Sequence, residues 1–301
     1  MGKRHSLSGR YYTFDYINLV IMSLIMFIML YPFWYCLIVS FNDNSVVSYT
    51  KLTFWPGMPT LNNYRIVFLD NRIVNGFIVS IFRTFIGTVL VVFCNAAMAY
   101  GLTNKKLIGR NLFLTILTIP MFFGGGIIPS YMLWKSLGLV NTFWLYVVPG
   151  LIGPFNVIIM RTFFTSTIPS SVEESAKVEG ANEIYIFLKL IIPMSTPLLA
   201  TFALFAAVGH WNDWFTGEFF IQNPRLHPLS TVLRRMIAMQ ELVQNMQNTG
   251  MTKYIRNGKA SISAESIKMA AIMVSVAPII FVYPYLQKYF IKGMIIGSIK
   301  G

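Results

Sequence analysis

The sequence predicts an all-α membrane protein with six transmembrane helices. Its residues are 55% hydrophobic and only 12% charged, whereas soluble domains are roughly 25% charged. Six uncharged runs are each long enough to cross the hydrocarbon core of a bilayer, which takes about 20 residues of helix. Lysine and arginine collect at the ends of alternate runs, as expected of a chain that crosses a membrane repeatedly.

The six uncharged runs are bounded on both sides by charged residues. They are 16–42, 84–104, 111–134, 136–160, 190–212 and 269–287. The first run is expected to remain as an anchor, because its apolar stretch exceeds the roughly 7–15 residues of a signal peptide and no small-residue cleavage site follows it.

Basic residues predict which loops lie in the cytoplasm, where lysine and arginine are enriched. They precede the first run, fill the turn between the second and third, and follow the sixth: Lys3, Arg4, Arg10, Lys105, Lys106, Arg110, Lys288, Lys292 and Lys300. With six crossings these places share one side, so both termini are expected in the cytoplasm. The predicted organisation is an N-terminal arm over 1–13 and a transmembrane domain over 14–301, with a cytoplasmic loop over 161–193, an external loop over 213–268 and a cytoplasmic tail over 288–301.

Composition also argues against a nucleic-acid partner and a disulfide framework. The net charge is +13, but the basic residues are spread over loop ends and form no single stripe, so no nucleic-acid binding is expected. Cys36 and Cys94 both lie inside apolar runs, where a small core-filling role is the ordinary one.

Several positions inside the runs are candidates for a solute path. Gly124, Gly125 and Gly126 crowd the second half of the third run. Glycine frees backbone groups that lipid cannot satisfy, so this stretch is expected either to face a water-filled cavity or to end the helix. Asn95 lies near mid-membrane, either as a cavity residue or as an amide that hydrogen-bonds between helices.

Arg83 directly precedes the second run and has two interpretations. About 33 Å of helix separates it from Lys105 at 1.5 Å per residue, which places it near the outer interface. We expect its side chain to snorkel towards the headgroups. The alternative is a role facing the solute path, because charged groups at membrane depth are usually functional.

The cytoplasmic loop carries helix start and stop signals. Ser171 and Glu174 have the spacing of a capping box, and Gly180 can take the positive φ that ends a helix. Together these residues predict a short helix over 172–179. A second helical piece is expected over 181–190, leading into the fifth run.

The short helix carries more negative than positive charge. Glu173, Glu174 and Glu179 stand against a single lysine, Lys177. An anionic inner leaflet would repel such a helix, so we favour a protein-docking role over a helix that lies on the headgroups.

The spacing in this loop resembles that of ABC-importer permeases, which carry the pattern E-A-A, three residues, G, nine residues and I-x-L-P. The matching residues here are Glu174, Ser175, Ala176, Gly180, Leu190, Ile191, Ile192 and Pro193. Serine replaces the first alanine, and other aliphatic residues replace the isoleucine and leucine. Segments 122–134, 211–215 and 284–301 are also similar to the maltose-type carbohydrate permeases, most of all to the branch that imports complex oligosaccharides, and the likeness covers 14–301.

The resemblance implies a type I ABC importer transmembrane domain in the bacterial inner membrane, surrounded by lipid. It implies that a coupling helix docks into a cleft of an ATP-binding subunit, with Glu173, Glu174, Ser175, Ala176, Glu179 and Gly180 on or beside it. Lys292 and Gly301 of the tail would provide a second contact with that subunit. The implied partners are a second homologous permease, two ATP-binding subunits and an extracellular or periplasmic solute-binding protein, with an oligosaccharide as solute.

The sequence contains no Walker A pattern, G-x-x-x-x-G-K-[ST], which nucleotide-binding P-loops require. We therefore expect no cofactor on this chain and no catalytic residue, with ATP and magnesium held by the partner subunits.

Aromatic and polar residues cluster at the outer end of the fifth run. Trp211, Trp214 and Phe215 suit an interfacial aromatic belt. Asn212 and Asp213 beside them are candidate contacts for a sugar or for the docked binding protein. The external loop is rich in arginine and lysine, which favours either an acidic oligosaccharide or an acidic surface on the binding protein.

Two other classes of transporter remain as alternatives. An ABC permease for a non-sugar solute would share the loop motif. A proton- or sodium-driven transporter is less consistent with the sequence, because such proteins usually bury acidic or histidine side chains at mid-membrane. The six runs contain no carboxylate, and His210, the histidine among them, lies near an outer edge.

Overall fold

A computed structural model describes residues 13–43, 54–248, 265–282 and 284 of the 301-residue chain. These residues are helical, and among them the extended pairing is limited to an isolated antiparallel bridge between Asn42 and Pro59. The chain divides into two compact units, residues 1–67 with 243–273 and residues 68–242 with 274–301. The all-α class predicted from the sequence is confirmed.

The described α-helices follow one another with short connections. In chain order they are α1 (Thr13–Phe41), α2 (Asn62–Leu69), α3 (Asn71–Gly101), α4 (Arg110–Phe122), α5 (Ile127–Ser136), α6 (Pro154–Thr167), α7 (Ser170–Val178), α8 (Glu183–Ile186), α9 (Ile192–Met194), α10 (Thr196–Asn212), α11 (Phe215–Phe220), α12 (Leu229–Asn248) and α13 (Glu265–Val282). Tighter 3-10 turns lie at Phe143–Tyr146, Val148–Gly150 and Pro224–Leu226, and a wider π-helical turn lies at Phe187–Ile191.

Among the described helices, α1, α3 and α13 are each long and apolar enough to cross a membrane. The number rises to 5 if two bent pairs count as one span each. The first pair, Phe143–Gly150 with Pro154–Thr167, is bent by 50°, and the second, Glu183–Met194 with Thr196–Asn212, by 82°. The six-run count differs because the run 111–134 is divided between α4 and α5, which have 13 and 10 residues.

The glycine-rich stretch in the third run is where that helix breaks. α4 ends at Phe122, residues 123–126 are not helical, and α5 begins after Gly126, whose φ is 81°. A residue with a side chain rarely adopts that angle. The irregularity predicted from the glycines is therefore confirmed as a complete break.

Two other uncharged runs differ in extent from the helices that contain them. α3 begins at Asn71, well before the run at 84, because the Asp70 side chain caps its first turn by accepting from the Arg72 amide at 2.9 Å. The run 136–160 is interrupted by 3-10 turns, and α6 then continues to Thr167. Arg161 thus lies inside α6, and the connecting loop begins after it.

A buried cluster joins the helices of the larger unit around the C-terminal half of α3. It includes Ala96 on α3, Met160 on α6, Ile186 on α8 and Leu199 on α10. Burying a large apolar side chain completely stabilises a fold by about 1.5–3 kcal/mol. This cluster therefore sets the positions of the helices on either side of α7.

Two arginines hydrogen-bond to the backbone at the C-terminal end of α3. The Nε groups of Arg110 and Arg161 donate to the Leu102 carbonyl at 2.9 and 3.0 Å. A helix leaves its last carbonyls without partners, and arginines commonly supply them. The start of α4 and the middle of α6 are thereby fixed to the end of α3.

In the smaller unit, Asn63 on α2 holds the end of α1. Its Nδ2 donates to the carbonyls of Ser40 and Asn42 at 2.9 and 2.8 Å, and Tyr64 shares a hydrogen bond of 2.7 Å with the Ser40 hydroxyl. These contacts position the last turn of α1.

Candidate functional site

The predicted docking helix exists as α7, but its start differs from the prediction. The helix runs over Ser170–Val178, and its N-cap is Pro169, which makes no side-chain capping bond. The predicted capping box of Ser171 and Glu174 was wrong, because Ser171 lies inside the first turn. Proline has a backbone fixed near the angle required just outside a helix, so it sets the start without a hydroxyl.

The C-terminal stop of α7 is the one predicted. Gly180 has a φ of 83°, its amide donates to the Lys177 carbonyl at 3.1 Å, and the Ala181 amide donates to the Ala176 carbonyl at 2.9 Å. This pair of bonds is a Schellman motif, which ends a helix at a glycine and satisfies its last carbonyls. The E-A-A and G positions of the sequence motif are thus a helix and its stop.

The chain after Gly180 departs from the predicted helix over 181–190. Asn182 caps α8 by accepting from the Tyr185 amide at 2.8 Å, so regular helix begins at Glu183. It then widens into the π-helical turn Phe187–Ile191 and reaches Met194 through α9. π-turns insert one extra residue per turn and are frequent at functional sites.

α7 is held against the buried cluster although none of its own residues is buried. Ala176 on α7 and Ala181 just beyond it pack on that cluster. Lys177 forms a salt bridge of 2.8 Å with Glu183, and Glu183 also accepts from the Tyr100 hydroxyl at 2.8 Å. The short helix is therefore connected through side chains to the end of α3.

The motif glutamates differ in their surroundings. Glu174 and Glu179 are exposed, whereas Glu173 is half-buried. Burial raises the pKa of the Glu173 carboxyl above its ordinary value, and the charge of Lys177 opposes that rise. The exposed pair leaves α7 with a negatively charged outer surface.

Arg83 does not snorkel, so that prediction was wrong. Its side chain is 1% exposed. It forms an ion pair with the Asp213 carboxylate, donates from Nη1 to the Asp213 carbonyl at 2.7 Å, and lies 4.4 Å above the centre of the Tyr146 ring. A buried charge needs such partners, and here the aspartate lies 130 residues further along the chain.

The Arg83–Asp213 pair forms one wall of a cavity of about 360 Å³ in the larger unit. The cavity lies between α3, the 3-10 turns, α6 and α10. Its polar lining comes from Arg83, Tyr146, Asn156, His210 and Asp213. Two aromatic side chains, Phe202 and Phe205, complete much of the remaining surface.

Asp213 is placed by its backbone as well as by Arg83. It follows the last residue of α10, and its Oδ1 accepts from the Thr216 amide at 3.0 Å. Burial would raise the pKa of this carboxyl, but the Arg83 charge and the Thr216 hydrogen bonds outweigh it, so the pKa lies below its ordinary value. Asp213 is therefore an ionised partner of Arg83.

Asn95 is fully buried and already hydrogen-bonded. Its Nδ2 donates to the Val91 and Leu151 carbonyls at 2.6 and 2.8 Å, and its Oδ1 accepts from the Gly153 amide at 2.8 Å. It holds the non-helical chain before α6 against α3. This is the interhelical role that the sequence left open beside a solute contact.

The other predicted solute-path residues lie apart from the cavity lining. Gly124, Gly125 and Gly126 are exposed at the break after α4, and Asn212 is exposed at the end of α10. Their contact with a solute stays a prediction. Lys292 and Gly301, predicted to contact the ATP-binding subunit, lie outside the described residues, as does the whole tail over 288–301.

The aromatic residues near Asp213 separate into two environments. Trp211 is 8% exposed, packs edge-on against Phe77 and donates to the Ser275 carbonyl at 3.1 Å, so it joins α10 to α13 and is not part of an exposed belt. Trp214 is 37% exposed, and the Arg234 guanidinium lies 5.2 Å from its ring centre.

Sequence reasoning missed three polar residues of the lining. Tyr146 and Asn156 lie in the fourth run and His210 near the outer edge of the fifth, and no motif marks any of them. A buried arginine needs an acceptor, which was a signal to search for a partner to Arg83. The sequence contained no indication of which carboxylate that partner would be.

Comparison with known proteins shows the family to which this chain belongs. Residues 96–296 match the family model of the binding-protein-dependent transport system inner membrane component. The chain belongs to this family, and it is a permease subunit of an ABC importer, a transport component and not an enzyme. The class predicted from the loop motif is thereby confirmed.

Individual relatives cover nearly the whole chain. It is 39% identical over 288 residues to Protein LplC of Bacillus subtilis (strain 168), covering 96% of this chain and 95% of the relative. It is 37% identical over 271 residues to the polygalacturonan/rhamnogalacturonan transport system permease protein YtcP of the same organism, covering 90% and 92%. Among solved structures, it is similar to a bacterial ABC transporter involved in the import of the acidic polysaccharide alginate, with 29% identity, a TM-score of 0.81, and 96% and 100% coverage.

Proposed function

We propose that this permease forms half of the transmembrane path for an oligosaccharide and couples that path to ATP hydrolysis on another subunit through α7. The observation that carries the proposal is the attachment of α7, a short exposed helix that packs on a buried cluster through Ala176 and is flanked by Ile168 and Ala181, which also belong to or pack on that cluster. A packed helix transmits a displacement that a loose loop would absorb.

The contacts of α7 indicate which parts of the protein would move with it. Ala176 and Ala181 would transmit a displacement of α7 to the buried cluster. The Lys177–Glu183–Tyr100 contacts would transmit it to the end of α3. α3 in turn packs along α10. These two helices supply Arg83 and His210 to the cavity, so one rigid connection joins α7 to the cavity wall.

The outer surface of α7 suits a protein partner. Val178 is 89% exposed and Ile184, on α8, is 70% exposed. Val178 lies one helical turn after Glu174 and directly before Glu179, whose side chains are also exposed. Apolar side chains that become buried at the centre of an interface, with charges around them, are a common source of binding energy. An ATP-binding subunit with an apolar cleft and basic rim would fit this surface.

The proposed assembly contains a second homologous permease, two ATP-binding subunits that hold ATP and magnesium, and an external solute-binding protein. Both termini lie in the cytoplasm, and Lys292 and Gly301 of the tail make the second contact with the ATP-binding subunits. The absence of a Walker A pattern from this sequence supports the placement of hydrolysis on those subunits.

An oligosaccharide is proposed as the solute because the printed names of the relatives share that chemistry. They include polygalacturonan and rhamnogalacturonan transport at 37% identity and galactooligosaccharide transport at 28%. These names cover acidic and neutral sugars. Arg235 is paired with Glu218 at 2.7 Å and Arg83 with Asp213, so these two arginines do not by themselves favour an acidic solute.

The test is solute-stimulated ATPase activity and uptake in proteoliposomes that contain the complete transporter. Gly180→Pro should break the helix stop and Glu174→Lys should reverse the charge of the docking surface. Both variants are expected to insert normally and to lose most of the stimulation. Gly180→Asn, which tolerates positive φ, and Glu241→Lys on α12 are the matched controls and should retain it.

Normal stimulation in both Gly180→Pro and Glu174→Lys would refute the docking role. Uptake of a peptide or amino acid, with no uptake of any oligosaccharide, would replace the proposed solute and leave the permease class intact.

A further inference from the structure

The cavity beside Arg83 has the size and lining of a ligand site. Its volume is about 360 Å³, and ligand pockets are typically roughly 300–1,000 Å³. Such sites combine apolar and aromatic walls with a few converging polar groups. Here the aromatic part is Phe202 and Phe205, and the polar part includes Asn156 and His210.

The two charged side chains that line the cavity already neutralise each other. Arg83 is 1% exposed and forms an ion pair with Asp213, while its guanidinium rests on the Tyr146 ring. The Tyr146 hydroxyl is also committed, since it donates to the Leu226 carbonyl at 2.8 Å. A ligand carboxylate would have to compete with Asp213 for Arg83 and would bring a second negative charge beside it, which is unfavourable at low dielectric.

The remaining groups suit hydroxyls. The Asn156 amide can both donate and accept, as a sugar hydroxyl does. One ring nitrogen of His210 is hydrogen-bonded to the Gly87 backbone, and the other is left to bond a hydroxyl. The exposed ring of Phe205 offers a flat apolar surface for the C–H face of a sugar. The Nε–H of Arg83 is also buried without an acceptor among the described residues, which leaves one donor at the wall unused.

Gly87 makes the position of His210 possible. A Cβ built on Gly87 would lie 2.5 Å from His210 Nε2 and 2.7 Å from its Cε1. The imidazole therefore occupies the space that any larger residue on α3 would fill. A glycine at this point of α3 keeps the ring against the helix and leaves the cavity open.

We infer that this cavity is a solute-contacting site on the transport path, in which Asn156, His210 and Phe205 bind the hydroxyls and one ring face of an uncharged portion of an oligosaccharide. Arg83 and Asp213 are positioning residues that hold the wall and neutralise each other. The inference rests on the proposed function and adds to it the location of one contact and the chemical group recognised there. It also reassigns Asp213, which the sequence placed among the solute contacts.

The experiment uses the complete transporter in proteoliposomes and two oligosaccharides of equal length that differ at C6. One is an oligogalacturonate, with a carboxylate, and the other is its carboxyl-reduced counterpart of the same linkage, with a hydroxymethyl group. Uptake and ATP hydrolysis are measured together for Phe205→Ala and for the double variant Asn156→Ala/His210→Ala. The matched control is Phe155→Ala on α6, because Phe155 and Phe205 are both 60% exposed and Phe155 lies outside the cavity lining.

Uptake per ATP hydrolysed should fall about tenfold in the double variant, as expected for the loss of one or two hydrogen bonds to a solute. It should fall several-fold in Phe205→Ala and stay near the wild-type value in Phe155→Ala. The loss should be equal for every test sugar that the wild type imports. ATPase stimulation by the loaded binding protein should remain, since α7 is unchanged.

Unchanged uptake per ATP in the double variant would overturn the site. A loss confined to the oligogalacturonate would overturn the hydroxyl assignment and indicate recognition of the carboxylate. If the wild type imports neither sugar, the proposed oligosaccharide function fails, and this result is distinguishable because it does not depend on any variant.

Discussion

The guanidinium of Arg83, in the first half of α3, is paired with the carboxylate of Asp213, the residue that follows α10. The pair is asymmetric, because the arginine side chain is 1% exposed and the aspartate side chain is 30% exposed. Arg83 also donates to the Asp213 carbonyl, so it binds both the charge and the backbone at the end of α10. The contact therefore fixes the end of one helix to the side of another and closes one wall of the cavity.

Removal of either member of this pair should destabilise the permease strongly. Asp213→Ala is expected to cost about 3–5 kcal/mol, the usual result of leaving a buried charge unpaired, because it leaves the buried Arg83 without its carboxylate. Arg83→Ala should cost less than Asp213→Ala, because the Asp213 side chain that it leaves behind is 30% exposed. Arg83→Ala/Asp213→Ala should cost clearly less than the sum of the two single variants, because neither charge then remains alone. Thermal unfolding of the purified protein in detergent measures the three variants as a double-mutant cycle.

The control for the pair is Arg72→Ala. Arg72 is bonded to Asp70 at 2.8 Å, but its side chain is 77% exposed, and exposed pairs contribute roughly 0–1 kcal/mol. If Arg72→Ala and Arg83→Ala lowered the unfolding temperature equally, the importance assigned to burial would be wrong.

Gly87→Ala should displace His210. The added Cβ would meet the imidazole at 2.5 Å, and the ring is expected to rotate away from α3 into the cavity. Uptake should fall, while Gly87→Ala/His210→Ala should relieve the clash and recover the unfolding temperature of His210→Ala. Gly209→Ala on α10 is the control, because a Cβ there meets nothing within 4 Å, and equal effects in the two glycine variants would contradict the steric explanation.

Gly180→Ala tests the helix stop by itself. Gly180 has a φ of 83° with open space around a built Cβ, so alanine should cost about 1 kcal/mol through backbone conformation alone. Gly101→Ala at the end of α3, where no positive φ is required, should be neutral or slightly stabilising. Hydrogen exchange of the Gly180 and Ala181 amides is the direct measurement, and unchanged protection in Gly180→Ala would contradict the Schellman stop.

Asn95→Ala should loosen the chain between the 3-10 turns and α6. It removes hydrogen bonds to the Leu151 carbonyl and the Gly153 amide, and a buried group left without its partner costs about 1–3 kcal/mol. The Gly153 amide should exchange faster with solvent. Asn104→Ala, which removes an exposed contact to the Lys106 amide, should leave that exchange unchanged.

The parts of this protein that could be predicted from sequence are those whose cause is local. The helix α7 and its stop depend on residues within about three turns of one another. The positive φ at position 180 ends the helix, and glycine is the residue that adopts this angle readily. The break at Gly126 has the same kind of cause. Even here the start of α7 was misplaced, since Pro169 set it without the hydroxyl cap that the Ser171 spacing suggested.

Membrane character also followed from sequence alone, because apolar runs must be buried in lipid or in protein whatever their neighbours are. The class of permease followed from the spacing of Glu174, Gly180 and Pro193. The helix bends were not predicted from the sequence, and the largest of them is the 82° bend between Glu183–Met194 and Thr196–Asn212.

The tertiary structure alone decided the roles of the isolated polar residues. The sequence shows that Arg83 directly precedes an apolar run, but the free energy of burying its charge depends on whether a carboxylate 130 residues away reaches it. The same holds for Asn95 and His210, whose partners are a non-helical backbone and a glycine on another helix. Electrostatic and hydrogen-bond energies fall steeply with distance and angle, so only the packed fold determines which polar residues hold the structure and which remain free to meet a solute.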